Sequence, residues 1–345
     1  MKKITLLFVL GILLTFGLAG AVTGMARAQS AAEGAPVLQL PLDCTLGTSC
    51  WVARYANRGG DAARADFACG IRAQEGHQGT DFVLSSLAQM AEGVDVLAAA
   101  DGEVTRVRDG EPDHVLGAEA PDFDAGRECG NGLLIDHGDG WQSQYCHMAQ
   151  GSLTVGPGDA VAAGEPLGRV GLSGKTQFPH LHFNLFKDGE AMDPYDGQPI
   201  AAPCGEETPG LWESEAVNAY EPFSLIGAVF GDGVPDMATI WGGSVARQEL
   251  PAQAPALVLT AKLFGALRGD RWSFKILDPE GALFVENSVE IEKNNQFVFN
   301  YAGRKKPAGG FQPGLWRGEV TVTRTGPQGD ALEQRLESEV LVVEE

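Results

Sequence analysis

The sequence predicts an all-β chain of two domains: a compact antiparallel β-sheet domain over residues 44–204 and an immunoglobulin-like β-sandwich over residues 214–345. Three observations predict it. Short β-like segments separated by Gly-rich turns fill the stretch between Cys44 and Cys204. Beyond Cys204 the side chains alternate with period two, the signature of half-buried strands. All six histidines and all six cysteines fall before residue 205, so the two halves differ in chemistry as well as in pattern.

The first element is a leader. Lys2 and Lys3 precede an apolar run from Ile4 to Val22, and Ala26-Arg27-Ala28 follows it. A basic start, an apolar middle and small residues at −3 and −1 predict a signal peptide over 1–28, cleaved after Ala28, and an exported, periplasmic or extracellular protein. The run is also long enough to stay as an anchor, so both outcomes remain open. Residues 29–43 read as an N-terminal linker. The whole chain has 25 basic and 46 acidic side chains, a net charge of −21, and removing the three basic residues of the leader sharpens this to −24. Such a balance excludes a nucleic-acid binder that works by neutralising phosphates, and it disfavours docking of the mature protein on an anionic membrane. At 44% hydrophobic and 21% charged residues, the composition is that of a globular protein with a core.

In the first domain, segments 94–100, 103–108, 131–136, 141–147, 160–170 and 180–186 read as strands. Export into an oxidising compartment makes three disulfides the default for Cys44, Cys50, Cys69, Cys129, Cys146 and Cys204, with about 15 pairings open. One pair can be argued. His137-Gly138-Asp139-Gly140 is a hairpin turn between 131–136 and 141–147, and folding there sets Cys129 near Cys146. The segment Cys-Gly-Glu-Glu-Thr-Pro-Gly that starts at Cys204 marks the end of the first domain, and residues 205–213 read as the linker between domains. In the second domain Trp272, Phe274 and Ile276, then Phe297, Phe299 and Tyr301, then Trp316, Val320 and Val322 mark strand faces. These aromatics read as core rather than as a glycan-binding groove.

The histidines stand where a metal site could be built. His77 and Asp81 flank Gly79, and two glycines make a helix there unfavourable. In an extended segment positions 77, 79 and 81 share a face, so an imidazole and a carboxylate can converge. His180 and His182 project from one face of a strand while Leu181 and Phe183 pack on the other. In Tyr145-Cys146-His147 the tyrosine and histidine share a face, which turns Cys146 towards a disulfide. Alone, each motif is more often structural than functional. Together they supply nitrogen and oxygen donors suited to zinc, for which three protein ligands plus water is the catalytic arrangement.

Taken in order, GHQGTDF at 76–82, GNGLLIDHGDGWQSQYCHM at 130–148, GLSG at 171–174 and HLHF at 180–183 resemble the M23 (lysostaphin/LytM-type) zinc metallopeptidases, which are peptidoglycan endopeptidases. The resemblance covers residues 70–196 and implies a peptidase domain with a central groove that holds one Zn2+. By motif, His77, Asp81 and His182 match the zinc ligands. His147 and His180 match the pair that orients and polarises the water and steadies the oxyanion. The implied function is an exported zinc metalloendopeptidase that hydrolyses peptide cross-links or stem peptides of peptidoglycan through a zinc-activated water. Peptidoglycan peptides are then the partner, with no nucleic acid and no membrane after leader cleavage. A peptidase of Gly-rich peptides and a non-catalytic wall-binding regulator remain as alternative readings.

Other residues weigh less. Ser173 is not in a GxSxG elbow and reads as shaping the loop before His180. His137 reads as structural or solvated in its turn. His114 sits in the acidic segment 109–128, read as a surface loop. Asn131 and Tyr145 resemble supporting positions of the family.

Overall fold

The computed structural model describes residues 34–60, 64–114, 126–205, 208–242, 249–326 and 329–344. The expected signal peptide over 1–28 lies outside the described residues, as do the start of the 29–43 linker and the middle of the 109–128 segment. Among the described residues no helix is long and apolar enough to cross a membrane.

The first half builds strands β1 (Cys50–Arg54), β2 (Thr80–Leu84), β3 (Asp95–Leu97), β4 (Gly102–Arg108), β5 (Asn131–Gly138), β6 (Trp141–Met148), β7 (Ala160–Val161), β8 (Pro166–Arg169), β9 (His180–Lys187) and β10 (Glu190–Met192), with a short helix α1 (Leu87–Glu92). Eight of them form one sheet in the order β1-β2-β9-β6-β5-β4-β7, with β10 added to β9, and β3 pairs with β8 beside it. Every pairing is antiparallel. The hairpin between β5 and β6 closes through Gly138, Asp139 and Gly140, all at positive φ, as its sequence demanded. The stretch 160–170 is not one strand. Gly164 turns at φ 81° and splits it into β7 and β8.

Alternation sends one side of this sheet into a closed core. On β9, Leu181, Phe183 and Leu185 are fully buried, and Phe82 and Leu84 of β2 and Tyr145 of β6 join them. The disulfides are Cys44–Cys50, Cys69–Cys204 and Cys129–Cys146, the last being the pair that the hairpin predicted. The two stretches read as linkers are partly structural. Leu38 donates to the Leu211 carbonyl and Glu213 donates back to Leu38, while Leu38, Leu42, Leu211 and Trp212 are buried in the first core. Apolar side chains in otherwise loop-like sequence, rather than any periodicity, draw these segments in.

The second half begins with α2 (Glu215–Asn218), β11 (Ser224–Gly231), α3 (Met237–Gly242) and β12 (Glu249–Pro251). It continues with β13 (Ala256–Ala266), β14 (Arg271–Leu277), β15 (Leu283–Glu290), β16 (Asn295–Lys305), β17 (Gly314–Thr325) and β18 (Ala331–Val343). The sheets β11-β13-β16 and β12-β18-β17-β14-β15 face each other as a β-sandwich. Trp272, Phe274, Ile276, Trp316, Val320 and Val322 are buried between them, core residues as expected. The expectation fails on β16, where Tyr301 is exposed and Phe297 and Phe299 are only partly buried.

A third apolar cluster joins the halves. Trp51 and Ala53 of β1, Val83 of β2 and Phe178 pack against Ile226, Ile240, Trp241 and Phe264 of the sandwich. Phe297 and Phe299 border it. The second domain thus covers part of the sheet face opposite the first core. The remaining part of that face holds the histidines.

Candidate metal centre

Asp81 of β2 stands directly across from His182 of β9, and Cys146 of β6 stands across from His182 on the other side. Antiparallel registration therefore aligns three motifs that are up to a hundred residues apart in sequence. The geometry converges on one atom. Asp81 Oδ1 lies 2.9 Å from His77 Nε2, 2.7 Å from His182 Nδ1 and 3.4 Å from His180 Nε2. The two nitrogens of His77 and His182 are 3.1 Å apart. Zinc–ligand bonds of about 2.0–2.1 Å in a tetrahedron separate ligand atoms by roughly 3.3 Å. Two imidazole nitrogens and a carboxylate oxygen already gathered at nearly that spacing make a fitting donor set for zinc.

Backbone carbonyls fix the tautomers. His77 Nδ1–H donates to the Tyr55 carbonyl at 2.8 Å, which turns a bare Nε2 to the site. His180 Nδ1–H donates to the Phe178 carbonyl at 2.9 Å, and His147 Nδ1–H to the Ser173 carbonyl at 2.8 Å. Each leaves Nε2 as the nitrogen free for chemistry, the usual logic of outer-shell orientation. The rings of His147 and His180 lie 4.7 Å apart, and both side chains are buried.

His147 overturns one expectation. Its φ of 63° breaks the alternation of β6, so it does not share a face with Tyr145. Tyr145 points into the core against Phe183, with its hydroxyl accepting from Ala99 N–H at 2.8 Å. Positive φ is strained for a residue with a Cβ and persists where neighbours over-determine it. Here the Cys129–Cys146 disulfide is adjacent, and His147 N–H donates to the Cys129 carbonyl at 2.8 Å. Gly79 also acts differently from expectation. A Cβ there would meet the Phe183 carbonyl oxygen of β9 at 2.2 Å, so glycine lets β2 approach β9 rather than clearing space between ligands.

Electrostatics polarise the site. Burial is the largest influence on Asp81 and acts to raise its pKa, but the charges of His77 and His180 and the hydrogen bonds of His180 and His182 outweigh it. The carboxyl is held well below its ordinary range. Burial, and then the potential of His180 and His182, push His147 well below its usual value. Burial likewise lowers His182. At His77 burial is again the largest single influence and acts to lower the pKa, but the charge and hydrogen bond of Asp81 and the bond to the Tyr55 carbonyl outweigh it and raise it. An ionised carboxylate among imidazoles is a donor set suited to a divalent cation.

Sequence reading missed Arg54. Its Nη1 lies 3.4 Å from Asp81 Oδ2, the carboxylate oxygen turned away from the histidines. An arginine inside the apolar stretch Cys-Trp-Val-Ala-Arg gives no motif signal. It also missed Phe178, whose ring stands 4.7 Å from His180 and stacks at 5.2 Å on Trp241 of α3. Ser173 is structural, as read: its hydroxyl donates to the Met148 carbonyl and accepts from Asn131 N–H. Asn131 ties that corner to Glu111 through both ends of its amide. His137 bonds the Asp101 carbonyl and Ser143 in its turn, away from the centre. His114 donates its backbone N–H to the Leu172 carbonyl, which anchors one end of the acidic segment beside the 171–174 loop.

Residues 75–194 match the model of Peptidase family M23, a range that includes all five site residues. The chain is 35% identical over 94 residues to "Cell division protein DipM" of Caulobacter vibrioides, covering 27% of this chain and 13% of that protein. It is 28% identical over 117 residues to "Peptidoglycan DD-endopeptidase ShyA" of Vibrio cholerae, covering 34% of this chain and 22% of that protein. This chain therefore spans less than a quarter of the length of either curated relative. Among solved structures, the catalytic domain of lysostaphin from Staphylococcus simulans is 26% identical, with a TM-score of 0.26, covering 34% of this chain and 75% of that one.

Proposed function

Residues 75–194 are a domain of peptidase family M23, and on that premise we propose that the protein is an exported, zinc-dependent endopeptidase acting on peptide cross-links or stem peptides of peptidoglycan. The observation that carries this reading is the convergence of His77, Asp81 and His182 on one point, with His147 and His180 buried beside it. Zinc, when bound by His77, Asp81 and His182, supplies a Lewis acid that acidifies water and polarises a carbonyl. His147, neutral and with Nδ1–H committed to Ser173, offers Nε2 to take a proton from the attacking water. His180, fixed by the Phe178 carbonyl, stands on the other side to hydrogen-bond the oxygen that gains charge as the peptide carbonyl is attacked. The same imidazoles can return the proton to the leaving amine.

Export is supported by the leader-like residues 1–28 and by three disulfides in the first domain. The test is oxidised, zinc-loaded mature protein incubated with purified sacculi, with and without a zinc chelator, and the released muropeptides read by mass. Chelator-sensitive release of shortened or uncrosslinked peptides is expected. No release from sacculi by the loaded protein would overturn the enzyme reading.

A further inference from the structure

Strand β1 carries one residue more than β2 where the two lie beside the metal centre. Val52 stands across from Phe82, but the next pair is Arg54 across from Asp81. Without the extra residue Ala53 would hold that place. A bulge of this kind re-aims the side chains that follow it. Directly opposite residues of antiparallel strands share a face, so the shift sets a guanidinium on the face that bears the ligands. Arg54 lies outside residues 75–194, so the family match says nothing of it.

Two contacts hold this guanidinium. Arg54 Nη1 donates to Asp81 Oδ2 at 3.4 Å, and Arg54 Cζ lies 5.2 Å from the centre of the Phe178 ring. The Arg54 side chain is 16% exposed and that of Asp81 2%, so solvent screens the pair little. The next residue, Tyr55, holds His77 through its carbonyl. The end of β1 therefore orients two of the three ligands, the imidazole through Tyr55 and the carboxylate through Arg54.

The two oxygens of Asp81 have separate partners. Oδ1 is 2.9 Å from His77 Nε2 and 2.7 Å from His182 Nδ1, whereas Oδ2 turns to Arg54. A carboxylate can give a cation one oxygen or both. Both would fill the position that a catalytic zinc site keeps for water beside three protein ligands. With a guanidinium on Oδ2, that oxygen would have to give up a charge-assisted hydrogen bond to become a second donor.

We infer that Arg54 is a positioning residue that restricts Asp81 to one donor oxygen and so keeps the fourth coordination place open for water. This role rests on the zinc peptidase reading, and it adds to the site a residue that none of the histidine motifs contains.

The test uses oxidised, full-length protein carrying one cobalt(II) per chain in place of zinc. Its visible bands report coordination without any turnover: they are strong for four-coordinate cobalt and weaken as a further donor joins. Wild type is expected to show the strong bands. Arg54→Gln should lose about half or more of that intensity per bound cobalt, while Arg54→Lys, which keeps a cation at Oδ2, recovers most of it. Arg54→Met, whose stem still packs on Phe178, replaces Arg54→Gln if the glutamine variant lacks a cooperative thermal transition. With zinc bound, kcat of the neutral variant should fall about tenfold or more while KM stays within about twofold. Unchanged bands in the neutral variant, or weak bands in the wild type, would overturn the role. A raised KM with the bands intact would also overturn it, by making Arg54 a substrate contact. Failure of both neutral variants to fold would make the pair structural and overturn the role as well. A wild type that shows the strong bands but never cuts peptides would defeat the peptidase reading alone, and the spectra would then decide on Arg54. A wild type that binds no cobalt would overturn both.

Discussion

Asp81 Oδ1 is shared by three imidazoles while Oδ2 faces Arg54, so a single carboxylate divides the site into a histidine side and an arginine side. The division predicts two kinds of variant. His77→Ala, Asp81→Ala and His182→Ala should lose bound zinc and activity together. His147→Ala and His180→Ala should keep about one zinc per chain by elemental analysis while kcat falls ~10²–10⁴-fold, the usual yield of general acid–base groups. Zinc lost from the second pair would sink the assignment. The gathering of His77, Asp81 and His182 was legible because their motifs place nitrogen and oxygen donors in extended segments. What was not legible is what holds them. Tyr55, Phe178 and Ser173 act through backbone carbonyls, which have no residue identity to read. The direction of His147 depends on a left-handed φ beside a disulfide, and alternation alone gives the opposite answer.

At the scale of elements, the site depends on how closely β2 lies on β9. Gly79→Ala places a methyl group 2.2 Å from the Phe183 carbonyl oxygen and from the side chain of Asn184. Forcing such an overlap should cost ~1–3 kcal/mol, read as a lowered thermal midpoint, and should weaken zinc retention because Asp81 moves with β2. An unchanged midpoint and an unchanged zinc affinity would contradict the packing argument. Helix α3 gives a second case. Trp241 stacks on Phe178, which in turn leans on His180. Trp241→Ala should cost ~3–5 kcal/mol and reduce kcat without loss of zinc. Loss of stability with kcat intact would make the stack merely structural. Strands with clear alternation and turn residues, such as β5, β6, β9 and β14, could be read from sequence. The run 160–170 could not be divided, since β7 and β8 are both too short to show a period. Helix α3 was hidden by its length of six residues and by a role that exists only across the domain boundary.

On the scale of the molecule, the boundary between domains is closed by apolar packing and by buried basic side chains, among them Arg72 and Lys262. Lys262 of β13 donates to the Ser85 and Ile240 carbonyls, lies over the Trp241 ring, and is 4% exposed. Burial lowers its pKa from 10.5 to about 7. Above about pH 7 the folded protein holds this lysine neutral, whereas the unfolded chain keeps it protonated up to about 10.5. The unfolded state then binds the extra proton, so this group makes stability rise with pH between about 7 and 10.5 and gives its full penalty below 7. Lys262→Met should flatten that rise, and denaturant titrations at pH 6.5 and 9.5 would check it. A slope equal to that of wild type would refute the assignment. The change in character along the chain was legible, because histidines and cysteines stop where the second alternation begins. Its closure was not, since Trp51, Phe178 and Trp241 each look like ordinary core residues until the halves meet. That meeting has a consequence in time. Residue 241 is synthesised after residue 180, so the aromatic wall behind His180 is completed only by the half of the chain that is made last.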